Sequence, residues 1–204
     1  MILPRTKLTP SLWLTTALTI LLIAFSLLGP GAEALLEFNR EKIAMGEYWR
    51  LLTGNLVHYG YVHLAMNLAA FLLLGVSLLY EITLKIYVPL LVCSAAAVGL
   101  GTFIWNPELS FYRGLSGVIH GLIVAGLLLN SFRHRWLSYL FVGLVFAKIF
   151  HEHQADFEEN QLQALLPVAV AVDSHWYGAL AGLVYMGLVY TGTLFGLQKL
   201  KPKA

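Results

Sequence analysis

The stretch Arg113-Gly114-Leu115-Ser116-Gly117-Val118-Ile119-His120-Gly121 joins a polar loop to an apolar run that continues to about residue 130. If that run is a membrane-spanning helix, Ser116 lies about one turn inside it, and the flanking glycines let a second backbone come close. Polar groups inside a membrane are costly, so they mark candidate functional sites. The stretch therefore predicts a helix that carries a serine into the bilayer.

The composition extends this prediction to the whole chain. Of the 204 residues, 58% are hydrophobic and 12% are charged, and the apolar residues come in blocks of membrane-spanning length. We expect an all-α membrane protein with a single domain over residues 1–204, its core at about 47–197. The six predicted spans are 11–29, 61–79, 86–105, 114–130, 136–150 and 175–197.

Two stretches allow a second interpretation. The first span could be a cleaved signal peptide, because Ala32-Glu33-Ala34 resembles a cleavage site, but its length favours a retained anchor. The apolar run 165–172 is too short to span, so we interpret it as a surface flap or re-entrant segment. The flap and the first loop, 32–60, would gate the entry of substrate.

The distribution of charge predicts the orientation. Eight basic residues and the acidic Glu81 fall on the predicted inner side, against five basic and ten acidic residues on the outer side. The positive-inside rule then places both termini in the cytoplasm. The inner basic residues are Arg5, Lys7, Lys85, Arg133, Arg135, Lys199, Lys201 and Lys203.

Several function classes are disfavoured. No basic cluster points to nucleic acid, and the single Cys93 excludes a disulfide framework. His151-Glu152-His153 lacks the His-Glu-x-x-His spacing of zinc proteases, so we expect a solvated interfacial loop there and neither a metal nor a cofactor.

In this orientation the second, fourth and sixth spans all enter from the outer face with polar residues in their first turns. These residues are His63 and Asn67 on the second span, Ser116 and His120 on the fourth, and His175 on the sixth. Each alone would usually be structural, but together at one depth they favour a site. Asp173 lies too close to His175 in sequence to orient it well.

The residue types suit acyl transfer. A serine needs a base to take its proton, and a neutral imidazole such as His175 is the usual one. The pairs Gly117/Gly121 and Gly178/Gly182 would let the fourth and sixth helices approach closely. His63 and Asn67 project from one helix face, where both could donate to an oxyanion, and backbone amides at the helix N-terminus near Ser116 would add to it.

The motifs resemble those of the rhomboid intramembrane serine proteases. The similar segments are Trp49-Arg50-Leu51-Leu52-Thr53 through His58 to His63-Leu64-Ala65-Met66-Asn67, then Arg113-Gly114-Leu115-Ser116-Gly117, then His175-Trp176-Tyr177-Gly178 through Gly182. The resemblance implies a rhomboid-like bundle in which Ser116 and His175 form a dyad without an acid. It implies an oxyanion site of His63, Asn67 and the amides of Ser116 and Leu115.

The resemblance also implies supporting roles. His58 would brace the first loop, with Trp49 and Arg50 in the same signature, and Gly114, Gly117, Gly178 and Gly182 would complete the two active-site motifs. Two positions depart from the family. His120 stands where a tyrosine commonly stacks on the catalytic histidine, and Glu81 follows the second span at looser spacing than the usual acidic residue.

Within the family, the short core and the Arg-Gly-x-Ser-Gly-Val-x-His-Gly pattern look most like rhombosortase. That resemblance implies a bacterial inner membrane protein with its site toward the periplasm. Its partners would be the lipid bilayer and exported proteins whose C-terminal tail carries a Gly-Gly sorting signal, an apolar helix and a basic end. The alternatives are a general rhomboid protease, a non-proteolytic protein that binds transmembrane clients, and a transporter or haem protein that uses the seven histidines.

Overall fold

The computed structural model describes residues 9–130, 135–154, 168 and 170–192. Six long helices dominate this part of the chain, joined by short elements. In chain order the elements are α1 (Pro10–Leu27), α2 (Pro30–Leu36), β1 (Phe38–Asn39), α3 (Arg40–Ala44), α4 (Arg50–Thr53), a 3-10 turn (Gly54–Leu56), α5 (Gly60–Val76), α6 (Leu84–Trp105), β2 (Phe111–Tyr112), α7 (Ser116–Leu129), α8 (Arg135–Glu152) and α9 (Asp173–Tyr190).

The long helices α1 and α5 to α9 lie at the six positions predicted to span. Among the described residues, α1 and α6 are long and apolar enough to cross a membrane. The bent pair 50–56 and 60–76, with a 90° angle between its parts, is a third candidate. The protein is therefore a mainly helical membrane protein. That it has six membrane spans stays a prediction.

Some predictions fall outside the described residues. These include half of the 165–172 flap, the end of the sixth span at 193–197, and the basic residues at both termini and within 131–134 on which the predicted orientation depends.

The first loop is more ordered than the sequence indicated. Between residues 30 and 56 the chain forms three short helices and a strand, in place of the expected irregular loop. β1 pairs antiparallel with β2, with Phe38 opposite Tyr112. This partner lies more than 70 residues away, which is why the local sequence gave no strand signal.

Arg40 caps the C-terminal end of α6. Its guanidinium donates to the carbonyl oxygens of Thr102 and Asn106 at 2.7 and 2.8 Å and to that of Phe103 at 2.7 Å. The last carbonyls of a helix have no intrahelical donor, so a cation placed there satisfies them and complements the helix dipole. The cap holds the first loop against the bundle.

α7 is the central helix and packs against α9 through glycines. A Cβ atom at Gly178 would lie 1.8 Å from the carbonyl oxygen of Gly117, and one at Gly182 would lie 2.2 Å from that of Gly121. No real Cβ approaches so closely, so only glycine permits this helix contact. The contact places the beginning of α9 beside the beginning of α7.

Candidate active site

Ser116 and His175 meet where α7 and α9 begin. Ser116 is the first residue of α7, and His175 lies in the first turn of α9. The Ser116 Oγ donates to His175 Nε2 at 3.1 Å, and His175 is buried, with 4% of its surface exposed. The structure thus brings the two predicted residues into hydrogen-bond contact at the edge of the bundle core.

His120 lies against His175. The ring centroids are 4.1 Å apart and the planes differ by 23°, a stacked arrangement. The His120 Nδ1–H donates to the carbonyl oxygen of Ser116 at 2.8 Å. His120 therefore fills the stacking position and is also bonded to the backbone of the serine.

Glu152 corrects two expectations from the sequence. α8 continues to Glu152, so this residue is not part of a solvated loop; it is 7% exposed. Its Oε2 lies 3.0 Å from His175 Nδ1, and its Oε1 lies 2.8 Å from Lys148 Nζ. An acid therefore faces His175, where the resemblance implied none. The sequence signal for it was weak: an i, i+4 Lys–Glu pair on one helix.

His63 and Asn67 stand on α5 facing the serine. The Tyr59 N–H donates to His63 Nδ1 at 3.4 Å, which leaves the proton of the neutral ring on Nε2. The Asn67 Nδ2 donates to the carbonyl oxygen of His63 at 3.0 Å, so one of its two N–H groups stays available. Both side chains line the same cavity as Ser116 and His175.

The backbone before Ser116 takes a shape that requires glycine. Gly114 has φ +139°, and a Cβ there would lie 2.8 Å from His63 Cε1. The Tyr112 hydroxyl donates to the Gly114 carbonyl oxygen at 2.7 Å. The first intrahelical bond of α7 joins the Ile119 amide to the Leu115 carbonyl at 3.0 Å, so the amides of Leu115 and Ser116 precede the hydrogen-bonded helix.

Comparisons with known proteins cover the part of the chain that carries this site. The family model described as Rhomboid domain matches residues 45–192, which is most of the chain. The chain belongs to the rhomboid family. Members of this family are generally intramembrane serine proteases.

A curated relative from Bacillus subtilis (strain 168), named "Putative rhomboid protease YdcA", is 30% identical over 96 residues. The aligned part is 47% of this chain and 48% of the relative, so the chain spans about half the length of the curated relative it matches.

Two arginines hold the first loop of this rhomboid protein in place, and one of them, Arg113, links it to the segment before Ser116. Arg113 pairs with Glu33 at 2.7 Å and with Glu37 at 2.9 Å. The buried Arg50 donates to the carbonyl oxygen of Glu37 at 2.8 Å and pairs with Glu47 at 2.6 Å. Arg50 thus acts on the loop and does not reach Ser116. The sequence did not predict Glu33 and Glu37 as partners of Arg113, because they lie far from it along the chain.

Three other residues that the sequence singled out do not line the cavity at Ser116. His58 is 3% exposed and its ring meets the His63 ring edge-on, with 5.1 Å between centroids. Trp49 is 47% exposed and packs near the Arg50 guanidinium. Glu81 is exposed in the turn after α5, away from the residues that line the site.

The loop groups around the site are held uncharged. Burial, helped by the nearby His63, lowers the pKa of His58 to about 3, so this ring is neutral at pH 7. Burial raises the pKa of Tyr112 to about 12, so its hydroxyl keeps the proton it donates to Gly114.

Asp173 is engaged away from His175. Its carboxylate accepts from the Asn106 side-chain amide at 2.6 Å and pairs with His153 at 2.9 Å. The pKa of His153 is raised: partial burial lowers it, but the bonds to the Ile149 carbonyl and to Asp173 outweigh that effect.

A cavity of about 630 Å³ opens at the serine between α5, α7 and α8. On α7 its lining runs from Ser116 to Leu127, a length of about 16 Å at the helical rise. Most of the wall is apolar, and the polar groups gather at the Ser116 end. Among the described residues, no group of three or more His, Cys, Asp or Glu side chains has a geometry that could hold a metal ion.

Proposed function

We propose that this protein is an intramembrane serine endopeptidase with Ser116 as nucleophile and His175 as general base. The observation that carries the proposal is the 3.1 Å hydrogen bond from Ser116 Oγ to His175 Nε2 at the head of an apolar cavity. A serine hydroxyl becomes an effective nucleophile when a base within hydrogen-bond reach takes its proton. The matched rhomboid domain supports the same chemistry.

The reaction would begin with attack by Ser116 Oγ on a substrate carbonyl while His175 Nε2 takes the hydroxyl proton. The negative charge that develops on the carbonyl oxygen needs hydrogen-bond donors held in place. The His63 Nε2–H, the free Asn67 N–H and the amides of Leu115 and Ser116 supply four such donors around the serine. His175 would then give its proton to the leaving amine as the peptide C–N bond breaks, and a water activated by the same base would hydrolyse the ester left on Ser116.

The substrate would be a membrane-spanning segment near its outer end. An apolar helix can lie along the cavity wall, but the scissile peptide must be extended for its carbonyl to reach the serine. Glycines at the cut site unwind readily. We therefore propose a C-terminal tail with a Gly-Gly signal, an apolar helix and a basic end, as the rhombosortase resemblance implies.

We also propose six spans with both termini in the cytoplasm. The charge distribution along the sequence supports this orientation. It would put the beginnings of α5, α7 and α9, with Ser116 and His175, near the periplasmic face of a bacterial inner membrane.

The experiment that tests this function is cleavage of a co-expressed reporter that carries the Gly-Gly tail, beside a reporter with an unrelated single span. We expect wild type to cut the Gly-Gly reporter, and Ser116→Ala and His175→Ala to lose ~10⁴-fold or more of that activity. Ser116-dependent cleavage of only the unrelated reporter would leave a general rhomboid protease and reject the sorting-tail substrate. No Ser116-dependent cleavage of either reporter would favour a client-binding protein.

A further inference from the structure

His175 has a partner on each ring nitrogen. Nε2 accepts from Ser116, and Nδ1 lies 3.0 Å from Glu152 Oε2. The side chains of His175 and Glu152 are each 4% exposed. For Nε2 to receive the serine proton, the ring hydrogen of the neutral imidazole must sit on Nδ1. An ionised carboxylate only accepts hydrogen bonds, so Glu152 selects that tautomer.

Lys148 sets the orientation of Glu152. Its Nζ lies 2.8 Å from Glu152 Oε1 and 3.2 Å from His120 Nε2. An ammonium group only donates, so Glu152 must accept at Oε1, and His120 must accept at Nε2 and carry its hydrogen on Nδ1. That Nδ1–H donates to the Ser116 carbonyl.

The contacts close a ring through five residues, and each contact pairs one donor with one acceptor. In order they are Ser116, His175, Glu152, Lys148 and His120. Such a network admits one consistent set of tautomers. With Glu152 ionised and His175 neutral, the assignment that fits leaves His175 Nε2 as an acceptor facing the serine.

We propose that Glu152 is a positioning residue for His175, held in turn by Lys148, so that the protease works through Ser116, His175 and Glu152 in series. This inference rests on the proposed function. It adds an acid, supplied by the last turn of α8, to a pair that the sequence resemblance implied to act alone.

The proton balance follows from the geometry. As the Ser116 Oγ bonds to the substrate carbonyl carbon, its proton moves to His175 Nε2 and the carbonyl π electrons move to oxygen. The imidazolium then carries both N–H groups, and the ionised Glu152 stabilises it at Nδ1. When the peptide C–N bond breaks, the Nε2 proton passes to the leaving nitrogen. Glu152 stays ionised throughout.

The first test is Glu152→Gln, which keeps the shape of the side chain. It replaces the carboxylate with an amide that has one accepting oxygen and one donating NH₂ group. Because Lys148 only donates, it holds the amide oxygen and turns the NH₂ group toward His175 Nδ1. That arrangement favours hydrogen on Nε2, where the serine proton must go. We expect kcat on the reporter to fall ~10²–10³-fold with KM changed by less than about threefold.

The second test separates positioning from simple bracing of α8 against α9. In the double variant Glu152→Gln/Lys148→Met the amide is free to turn, and its oxygen can accept from His175 Nδ1. We expect kcat to recover at least about tenfold over Glu152→Gln alone, a coupling that neighbouring residues can show. A bracing role predicts that the double variant is no better than the single one.

The matched control is Asp173→Asn. It removes a carboxylate two residues from His175 that bonds to Asn106 and His153 instead. We expect its kcat to stay within about threefold of wild type, since it does not touch the reacting groups. Thermal unfolding in detergent, measured on each variant, checks that every comparison uses folded protein.

The proposal is overturned if folded Glu152→Gln keeps wild-type kcat, or if its loss is not relieved in the double variant. If Glu152→Gln does not fold, Glu152→Ala takes its place. A water can accept from Nδ1 there, and we expect kcat ~10–10²-fold below wild type, whereas wild-type kcat would overturn the proposal. Failure of the proposed function would instead appear in the wild-type protein, as no Ser116-dependent cleavage, and would overturn this inference with it.

Discussion

At the scale of single residues, the chemistry depends on which ring nitrogen of each histidine carries hydrogen. His63 accepts from the Tyr59 amide at Nδ1, so its Nε2–H points away from the backbone as a donor. His63 lines the cavities on both sides of Ser116, and Gly114 leaves room for its ring. A donor held this way needs no rearrangement when an oxyanion forms.

We predict that His63→Phe, which keeps a ring and removes the donor, lowers kcat on the reporter ~10²–10³-fold with little change in KM. The control is Tyr61→Phe, which alters an exposed residue on the same helix. Unchanged kcat in folded His63→Phe would remove His63 from the oxyanion site.

At this scale the sequence predicts only some of the residues of the site. The positions of Ser116 and His175 near the beginnings of their helices, and the glycines that follow each, could be predicted because they depend on local spacing. The role of Glu152 could not be predicted, because it depends on where α8 ends and on how α8 packs against α9. The i, i+4 pair with Lys148 gave no sign that its other oxygen would face a histidine.

At the scale of elements, the contact between α7 and α9 decides whether the site exists. The carbonyl oxygens of Gly117 and Gly121 occupy the space where side chains at Gly178 and Gly182 would be. Small residues at such a contact let helices pack by close van der Waals approach, which drives helix association in lipid.

We predict that Gly178→Ala separates the two helices, lowers the thermal unfolding temperature in detergent by several degrees and abolishes cleavage, because its Cβ would overlap a carbonyl oxygen. Gly187→Ala is the matched control on α9. Nothing lies within 4 Å of its Cβ, so we expect equal or higher stability, by about 0.5–1 kcal/mol from helix propensity alone. Equal effects of the two substitutions would contradict the packing argument.

The first loop shows which elements the sequence could not predict. Its strand β1 and its capping residue Arg40 are satisfied by groups at residues 102–112, and its carboxylates by Arg113. These partners are set by the tertiary fold, so hydrophobic periodicity alone leaves the segment looking like a loop.

At the scale of the whole molecule, the apolar helices and their exposed side chains require a bilayer. On α8, Trp136, Leu140 and Phe141 are at least half exposed, and so are Trp13, Ile20 and Leu27 on α1. Such surfaces are stable in lipid and unfavourable in water. The sequence predicted this class from composition, and the long helices fall where the apolar blocks did.

The orientation is a separate prediction with its own test. In a Cys93→Ser background, an impermeant maleimide added to intact spheroplasts should label Glu41→Cys and should label Glu81→Cys only after permeabilisation, because the predicted topology puts these exposed residues on opposite faces. Labelling of Glu81→Cys in intact spheroplasts would reverse the orientation and place the serine near the cytoplasm.

The role of Ser116 as nucleophile is tested most directly by covalent labelling of the membrane-embedded protein with a fluorophosphonate, followed by mass mapping of the adduct. It needs no knowledge of the substrate. We expect an adduct on Ser116 that disappears in Ser116→Ala and in His175→Ala. No adduct on folded wild-type protein, or an adduct that persists without His175, would contradict the assignment of Ser116 as a nucleophile activated by that histidine.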